Sequence, residues 1–321
     1  MTQMDRREFV RLAGTVCLAG GAGRPALSAP MSPTPGPKAA CPGVTLGVVV
    51  WVHPGEQVDT AIRQVRDLGL STCQIGFKHL HPDVATPLKN ALEKYGVTAT
   101  AFSEHGPGER IFNFYQGPQT IGIVPPATRP ARIANLKLAS DIASRCGIPA
   151  VHTHCGFIPE DPNAPLYPQA VAAVKEVALH CARNGQMFLC ETGQETPVTL
   201  LRLIQDVGLD NVFVNLDGAN LIGSGKGNPV DAMDMIGRYV RGVHAKDGEF
   251  PTNPREFGRG AVMGQGKVDF PRWAQKLKEA GYRGPVHIEY EGDGDGQARK
   301  QAILNSKAYL ENVFARAYAL C

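Results

Sequence analysis

The chain has 321 residues, 43% of them apolar and 20% charged, which is enough to bury one large core and too apolar to stay disordered. Its 36 Gly and 25 Pro together fall below the roughly 25–30% that marks low complexity, so collagen-like and linker readings drop out. The formal charge is +3, and residues 1–29 carry four Arg (Arg6, Arg7, Arg11, Arg24) against Asp5 and Glu8, which leaves the rest of the chain at +1 and argues against a nucleic-acid partner.

In chain order, the first 43 residues stand apart. Asp5-Arg6-Arg7-Glu8-Phe9-Val10-Arg11 is followed by a mildly apolar Gly/Ala stretch to about Gly23 and then by Ala26-Leu27-Ser28-Ala29-Pro30. The order of paired Arg, Phe and a small-residue cleavage site resembles a twin-arginine export signal, with Asp5 where Ser or Thr is usual. That resemblance implies a periplasmic or extracellular protein. The stretch is too short and too Gly-rich for a stable membrane anchor. Pro30, Pro33, Pro35, Pro37 and Pro42 make residues 30–43 an extended linker. The expected organisation is a signal peptide at 1–29, a linker at 30–43 and one folded domain at 44–321.

From Val44 on, short β-rich apolar runs alternate with longer segments of helical period, the pattern of parallel strands with crossover helices. Strands are expected at 44–52, 71–77, 97–104, 149–155, 186–192, 211–217, 241–246 and 285–291. Helical patterns fill 56–69, 85–96, 129–147, 166–184, 197–208, 228–239, 269–281 and 296–319, several of them closing on Gly as helix C-caps do. Eight units without a leftover domain, and no GxGxxG after the first strand, predict an α/β fold of the closed (β/α)₈ TIM-barrel type rather than a doubly wound sheet. The eight Cys form no CxxC pair and read as small apolar side chains.

In such a barrel the chemistry sits at the C-terminal ends of the strands. The fifth strand ends in Glu191, the sixth in Asp217, the seventh carries His244, and the eighth carries Glu289 and Glu291. Singly, an acidic residue there is more often a helix N-cap and a His more often a core residue. Four in consecutive register are a different matter, because carboxylates facing one axis repel unless a cation holds them. Oxygen-rich ligation with one imidazole suits a single divalent ion, Mn²⁺ first, with Mg²⁺, Co²⁺ or Zn²⁺ also compatible. Glu289 and Glu291 share side-chain parity, so the strand pattern leaves both open.

These residues, with His244-Ala245-Lys246-Asp247, Gly264-Gln265-Gly266-Lys267-Val268-Asp269-Phe270 and His287-Ile288-Glu289-Tyr290-Glu291, resemble the xylose isomerase-like TIM-barrel superfamily over about residues 44–320. That group contains sugar isomerases, ketose 3-epimerases, inosose dehydratase and endonuclease IV. The resemblance implies metal ligation by Glu191, Asp217, His244 and Glu289, which selects Glu289 over Glu291. It also implies that Glu191 and Glu289 act as base and acid in moving a proton α to a sugar carbonyl, and that the chain forms homo-oligomers as relatives often do.

The chain departs from the ketose epimerases in two places: Asn220 stands where they place a substrate-binding His, and Pro197 where they have a second Glu. Candidate substrate contacts are therefore Glu104, His105, His154, Glu195, Asn220 and Lys246. His152 and His154 share a strand face and point together, either at the axis or away from it. Arg255 and Arg259 are candidate anion contacts, and the loop at 117–122 a candidate cap. The expected activity is that of a metal-dependent isomerase or epimerase acting on a keto-sugar. The alternative is a lyase that eliminates a β leaving group through the same enediolate. A DNA-repair enzyme like endonuclease IV would need more metals, more His ligands and a basic face. A non-catalytic sugar-binding barrel would be expected to have lost a ligand, and all four are present.

Overall fold

Apolar strands separated by amphipathic helices cover both of their faces by closing into a cylinder with the helices outside. A computed structural model describes residues 44–291 and 296–318; the expected signal peptide and linker lie outside the described residues. The barrel strands are β1 (Leu46–Val52), β2 (Thr72–Phe77), β3 (Thr98–Ser103), β4 (Ala150–His154), β5 (Met187–Glu191), β6 (Val212–Asp217), β7 (Val240–Ala245) and β10 (Val286–Ile288). They form a closed barrel in the order β1-β10-β7-β6-β5-β4-β3-β2, parallel at every pairing. Between β7 and β10, Asp247–Gly248 (β8) pairs antiparallel with Gly260–Ala261 (β9), a hairpin inside the long loop that the pattern does not foretell.

The helices are α1 (Val58–Asp67), α2 (Ala85–Tyr95), α3 (Gly117–Thr120), α4 (Arg129–Arg145), α5 (Leu166–Arg183), α6 (Pro197–Val207), α7 (Gly218–Gly223), α8 (Pro229–Ile236), α9 (Phe270–Glu279) and α10 (Gly296–Tyr318). Their ends follow local chemistry. Thr196 caps α6 by accepting from Thr199 N, Pro197 takes the first turn, and Gly208 closes the helix at φ 65°. The expected helix over 228–239 ends at Ile236 and tightens to a 3₁₀ turn at Gly237–Tyr239. The eighth strand stops at Ile288, short of the expected 291, although Glu289 N still donates to Ala245 O at 3.0 Å.

The main core lies between strands and helices, with Ile62, Leu88, Phe102, Leu136, Phe188 and Trp273 among its fully buried members. Inside the barrel the side chains form layers. Ala101, Ala150 and Leu189, with Met187 and Phe213, make an apolar floor. Gln74, Asn215 and His287 form a buried polar layer. Continuing the same inward parity, β4 to β7 raise His152, Glu191, Asp217 and His244 toward the C-terminal mouth.

Candidate metal centre

One ligand atom from each of Glu191, Asp217, His244 and Glu289 lies within 4.8 Å of all the others. Glu191 and Asp217 are the last residues of their strands, and Glu289 is the first after β10. His244 Nδ1 is the hub, 3.0 Å from Glu191 Oε1, 3.3 Å from Glu289 Oε2 and 3.8 Å from Asp217 Oδ2. Asp217 also caps α7, its Oδ1 accepting from Asn220 N at 2.7 Å, so the ordinary N-cap role and membership of the cluster coexist on its two oxygens. The outward atoms Asp217 Oδ2, Glu289 Oε2 and His244 Nδ1 are buried and make no hydrogen bond of acceptable geometry. Such a converging set of unsatisfied donor atoms is what a cation would satisfy.

The second ring nitrogen of His244 is occupied: Nε2 lies 2.8 Å from Gln74 Oε1. Burial works against protonation of this ring, yet the Glu191 and Glu289 carboxylates raise its pKa to about 10. Burial alone would also raise Glu191, but His154 and His244 hold it well below the usual carboxylate range. Glu289 is held low in the same way by Lys246 and His244. Asp217 goes the other way, because burial outweighs the nearby Lys246 charge.

Lys246, the first residue after β7, joins the cluster. Its Nζ is 3.0 Å from Glu289 Oε2, 3.2 Å from Glu291 Oε2 and 3.5 Å from Asp217 Oδ2, and these carboxylates more than offset burial to keep it charged. Glu291 itself is 65% exposed at the rim, while Glu289 is 12% exposed and lies within the four-residue set. His152 and His154 both turn to the axis, with His152 Nδ1 3.4 Å and His154 Nε2 3.6 Å from Glu191 Oε2. Asn220 Nδ2 lies 3.5 Å from Glu191 Oε1.

Beside the cluster opens a cleft of about 370 Å³ whose walls include Phe112, His154, Asn220, Lys246, Phe257 and Arg259. Phe112 rather than the segment at 117–122 provides the covering side chain from the loop after β3, edge-on to His154 at 5.9 Å. His105 stands behind that wall, stacked between Trp51 and His154 at 5.0 and 5.4 Å. Besides His105, two further expected contacts are not on the wall. Glu104 turns back into its own loop, where Oε1 accepts from His105 N and Gly106 N at 2.9 and 2.7 Å. Glu195 is fully buried, and desolvation pushes its carboxyl well above the usual range. Arg255 lies over the Tyr115 ring at 5.5 Å.

Gln74, Asn215 and Phe112 belong to the site without having been singled out in the sequence. The usable signal was Gln74 itself, a polar residue between Cys73 and Ile75 in an apolar strand.

The Asp247 carboxylate gathers the inserted loop. Oδ1 accepts from Gly248 N and Val268 N at 2.9 and 3.1 Å, and Oδ2 from Gly264 N and Gly266 N, both at 2.9 Å. The two Gly-rich and His-rich motifs of the sequence are thus two halves of one clasp.

Residues 62–313 match the family model of the xylose isomerase-like TIM barrel. An uncharacterised protein of Methanocaldococcus jannaschii is 31% identical over 121 residues, covering 37% of this chain and 38% of that relative's length. A xylose isomerase domain protein from Planctomyces limnophilus superposes with TM-score 0.79 at 30% identity, covering 86% of this chain and 100% of that one. A xylose isomerase-like TIM-barrel protein from Mycobacterium smegmatis, solved in complex with magnesium, gives TM-score 0.64 at 18% identity over 86% and 98% of the two chains. A D-psicose 3-epimerase solved in the presence of D-fructose gives 0.63 at 15% identity over 84% and 99%. By sequence and fold alike, the chain belongs to the xylose isomerase-like TIM-barrel family.

Proposed function

We propose that this chain is a divalent-metal-dependent enzyme of the isomerase or epimerase kind that abstracts a proton α to the carbonyl of a keto-sugar. The observation that carries the reading is the convergence of Glu191, Asp217, His244 and Glu289 within 4.8 Å, with Asp217 Oδ2, Glu289 Oε2 and His244 Nδ1 buried and in no hydrogen bond of acceptable geometry. Three carboxylates and one imidazole suit Mn²⁺ first, and Mg²⁺ is the ion in the Mycobacterium smegmatis relative. Such an ion, when bound, supplies Lewis acidity at the carbonyl and its neighbouring hydroxyl.

The protein's own part is proton handling. Glu191 and Glu289 stand at the two ends of the β5-β6-β7-β10 arc. The ionised Glu191 takes the proton, and the C–H electrons pass toward the carbonyl as an enediolate. Glu289, on the other side of the substrate, must carry a proton at that stage and returns it to carbon, and the proton left on Glu191 and the one lost from Glu289 exchange with solvent before the next turnover. Lys246, 3.0 Å from Glu289 Oε2, stays charged and orients that carboxyl. Asn220 and His154 line the same cleft and orient the sugar hydroxyls.

A second reading is elimination of a β leaving group from the same enediolate, favoured by one observation: Asn220, on the cleft wall, stands where the resemblance places the epimerases' substrate His. The twin-arginine-like residues 5–11 support action outside the cytoplasm.

The test is solvent exchange. Mn²⁺-loaded protein incubated with keto-sugars in D₂O is expected to place deuterium on the carbon next to the carbonyl. Glu191→Gln should lose that exchange by about 10²- to 10⁴-fold while remaining folded. A purified protein that binds no divalent ion, or a fully active Glu191→Gln, overturns the reading. Product analysis separates isomerised sugar from an eliminated fragment.

A further inference from the structure

His244 meets the cluster through Nδ1 while its Nε2 is held from below. Nε2 lies 2.8 Å from Gln74 Oε1, and Gln74 Nε2 donates to Asn215 Oδ1 at 3.0 Å. The three residues come from β2, β6 and β7 and are each at most 1% exposed, so water does not compete for these bonds. Room for the pair is made across the barrel by Gly242, where a Cβ would collide with Asn215 Oδ1 and crowd Gln74 Nε2. A buried amide in an apolar strand costs about 1–3 kcal/mol unless its bonds are made, so its location beneath the cluster calls for a reason.

The direction of the Gln74 amide decides which nitrogen of His244 faces upward with a lone pair. With Oε1 toward the ring, as here, Nε2 keeps its proton, so Nδ1 is the nitrogen whose lone pair a metal can take. With the amide reversed, the NH₂ group would face Nε2 and favour the ring protonated on Nδ1, which cannot ligate.

We propose that Gln74 is a positioning residue for the metal centre: its carbonyl oxygen accepts the Nε2 proton of His244 and so aims the Nδ1 lone pair at Glu191, Asp217 and Glu289, while Asn215 holds the Gln74 amide in that sense. The proposal rests on the reading of those four residues as metal ligands. A partner of this kind on the far nitrogen of a ligating His fixes tautomer and ring orientation, and removing one weakens metal affinity by about 10- to 100-fold.

The experiment titrates Mn²⁺ into the metal-free full chain by calorimetry, with Gln74→Met to remove the acceptor at similar volume and Gln74→Glu to keep it. Asn215 Nδ2, buried without a partner, can turn to donate to the new carboxylate in Gln74→Glu. Gln74→Met is expected to bind about 10- to 100-fold more weakly and, because His244 Nε2 and Asn215 Oδ1 lose their buried partner, to melt somewhat below the parent while still folding cooperatively. Gln74→Glu is expected to bind at least as tightly as the parent. In parallel, nitrogen NMR of the parent labelled at His and loaded with Zn²⁺ should find His244 protonated on Nε2 and bare on Nδ1, a readout that needs no variant to fold. Parent-like affinity in Gln74→Met, or a proton on Nδ1 in the loaded parent, overturns the role of Gln74 alone. A parent that binds neither ion overturns the metal centre and this proposal with it.

Discussion

The Lys246 ammonium sits 3.0 Å from Glu289 Oε2 and 3.5 Å from Asp217 Oδ2, so a cation of the protein's own is built into the carboxylate cluster and also faces the cleft. Replacing it with Met removes a charged hydrogen-bonding group, typically about 1.5–3 kcal/mol per bond. Lys246→Met is therefore expected to lose roughly 10- to 100-fold in kcat/KM while elemental analysis still finds about one ion per chain. Unchanged kinetics would mean that Lys246 serves charge balance only.

Metal loading should release protons. In the metal-free chain the Glu191 and Glu289 carboxylates raise the His244 pKa to about 10, so at pH 7 the ring is protonated, whereas ligation through Nδ1 needs that nitrogen bare. The bound ion displaces the proton, so apparent affinity rises with pH, about tenfold per unit for one proton, until pH passes the His244 value. Calorimetry in buffers of different ionisation enthalpy should count at least one proton released per ion at pH 7. A count of zero would contradict ligation by His244.

Asp247 is 2% exposed and accepts four backbone N–H bonds. Asp247→Ala strands several of these donors and should cost about 3 kcal/mol or more in urea unfolding, since bonds to a charged acceptor are worth about 1.5–3 kcal/mol each. Gly266→Ala should destabilise the same clasp, because a Cβ there would collide with Asp247 Oδ1.

Arg132 on α4 is fully buried and spends its guanidinium on the carbonyls of Pro107, Glu109 and Gly122 at 3.1, 3.0 and 2.7 Å. It thereby pins the loop that carries Phe112 over the cleft. Arg132→Met should raise KM more than it lowers kcat and open the 106–122 loop to limited proteolysis. Protease resistance equal to the parent would remove Arg132 as the anchor.

The strand-helix alternation, the closed eight-stranded barrel and the inward parity of Glu191, Asp217 and His244 were all legible in one dimension. Each depends on local periodicity of two or 3.6 residues and on the rule that strand ends carry the chemistry. Parity also paired His152 with His154 correctly. It could not separate Glu289 from Glu291, since two residues on one face differ only in depth, and depth is set by how far the eighth strand runs beside its neighbours before the chain leaves the ladder at Ile288.

Glu104 and Glu195 show the opposite limit. Each follows a strand in sequence as a site residue does, yet one turns back onto its own loop and the other lies buried off the cleft wall, because the direction of a loop is decided by the contacts that receive it. The sequence by itself determined which residue types stand at the barrel mouth and that carboxylates in register call for a cation. Only the tertiary structure decided what lies across from them. Gln74 and His244 are 170 residues apart and 2.8 Å from one another, and no local pattern encodes a distance that exists only after the last strand has closed the ring.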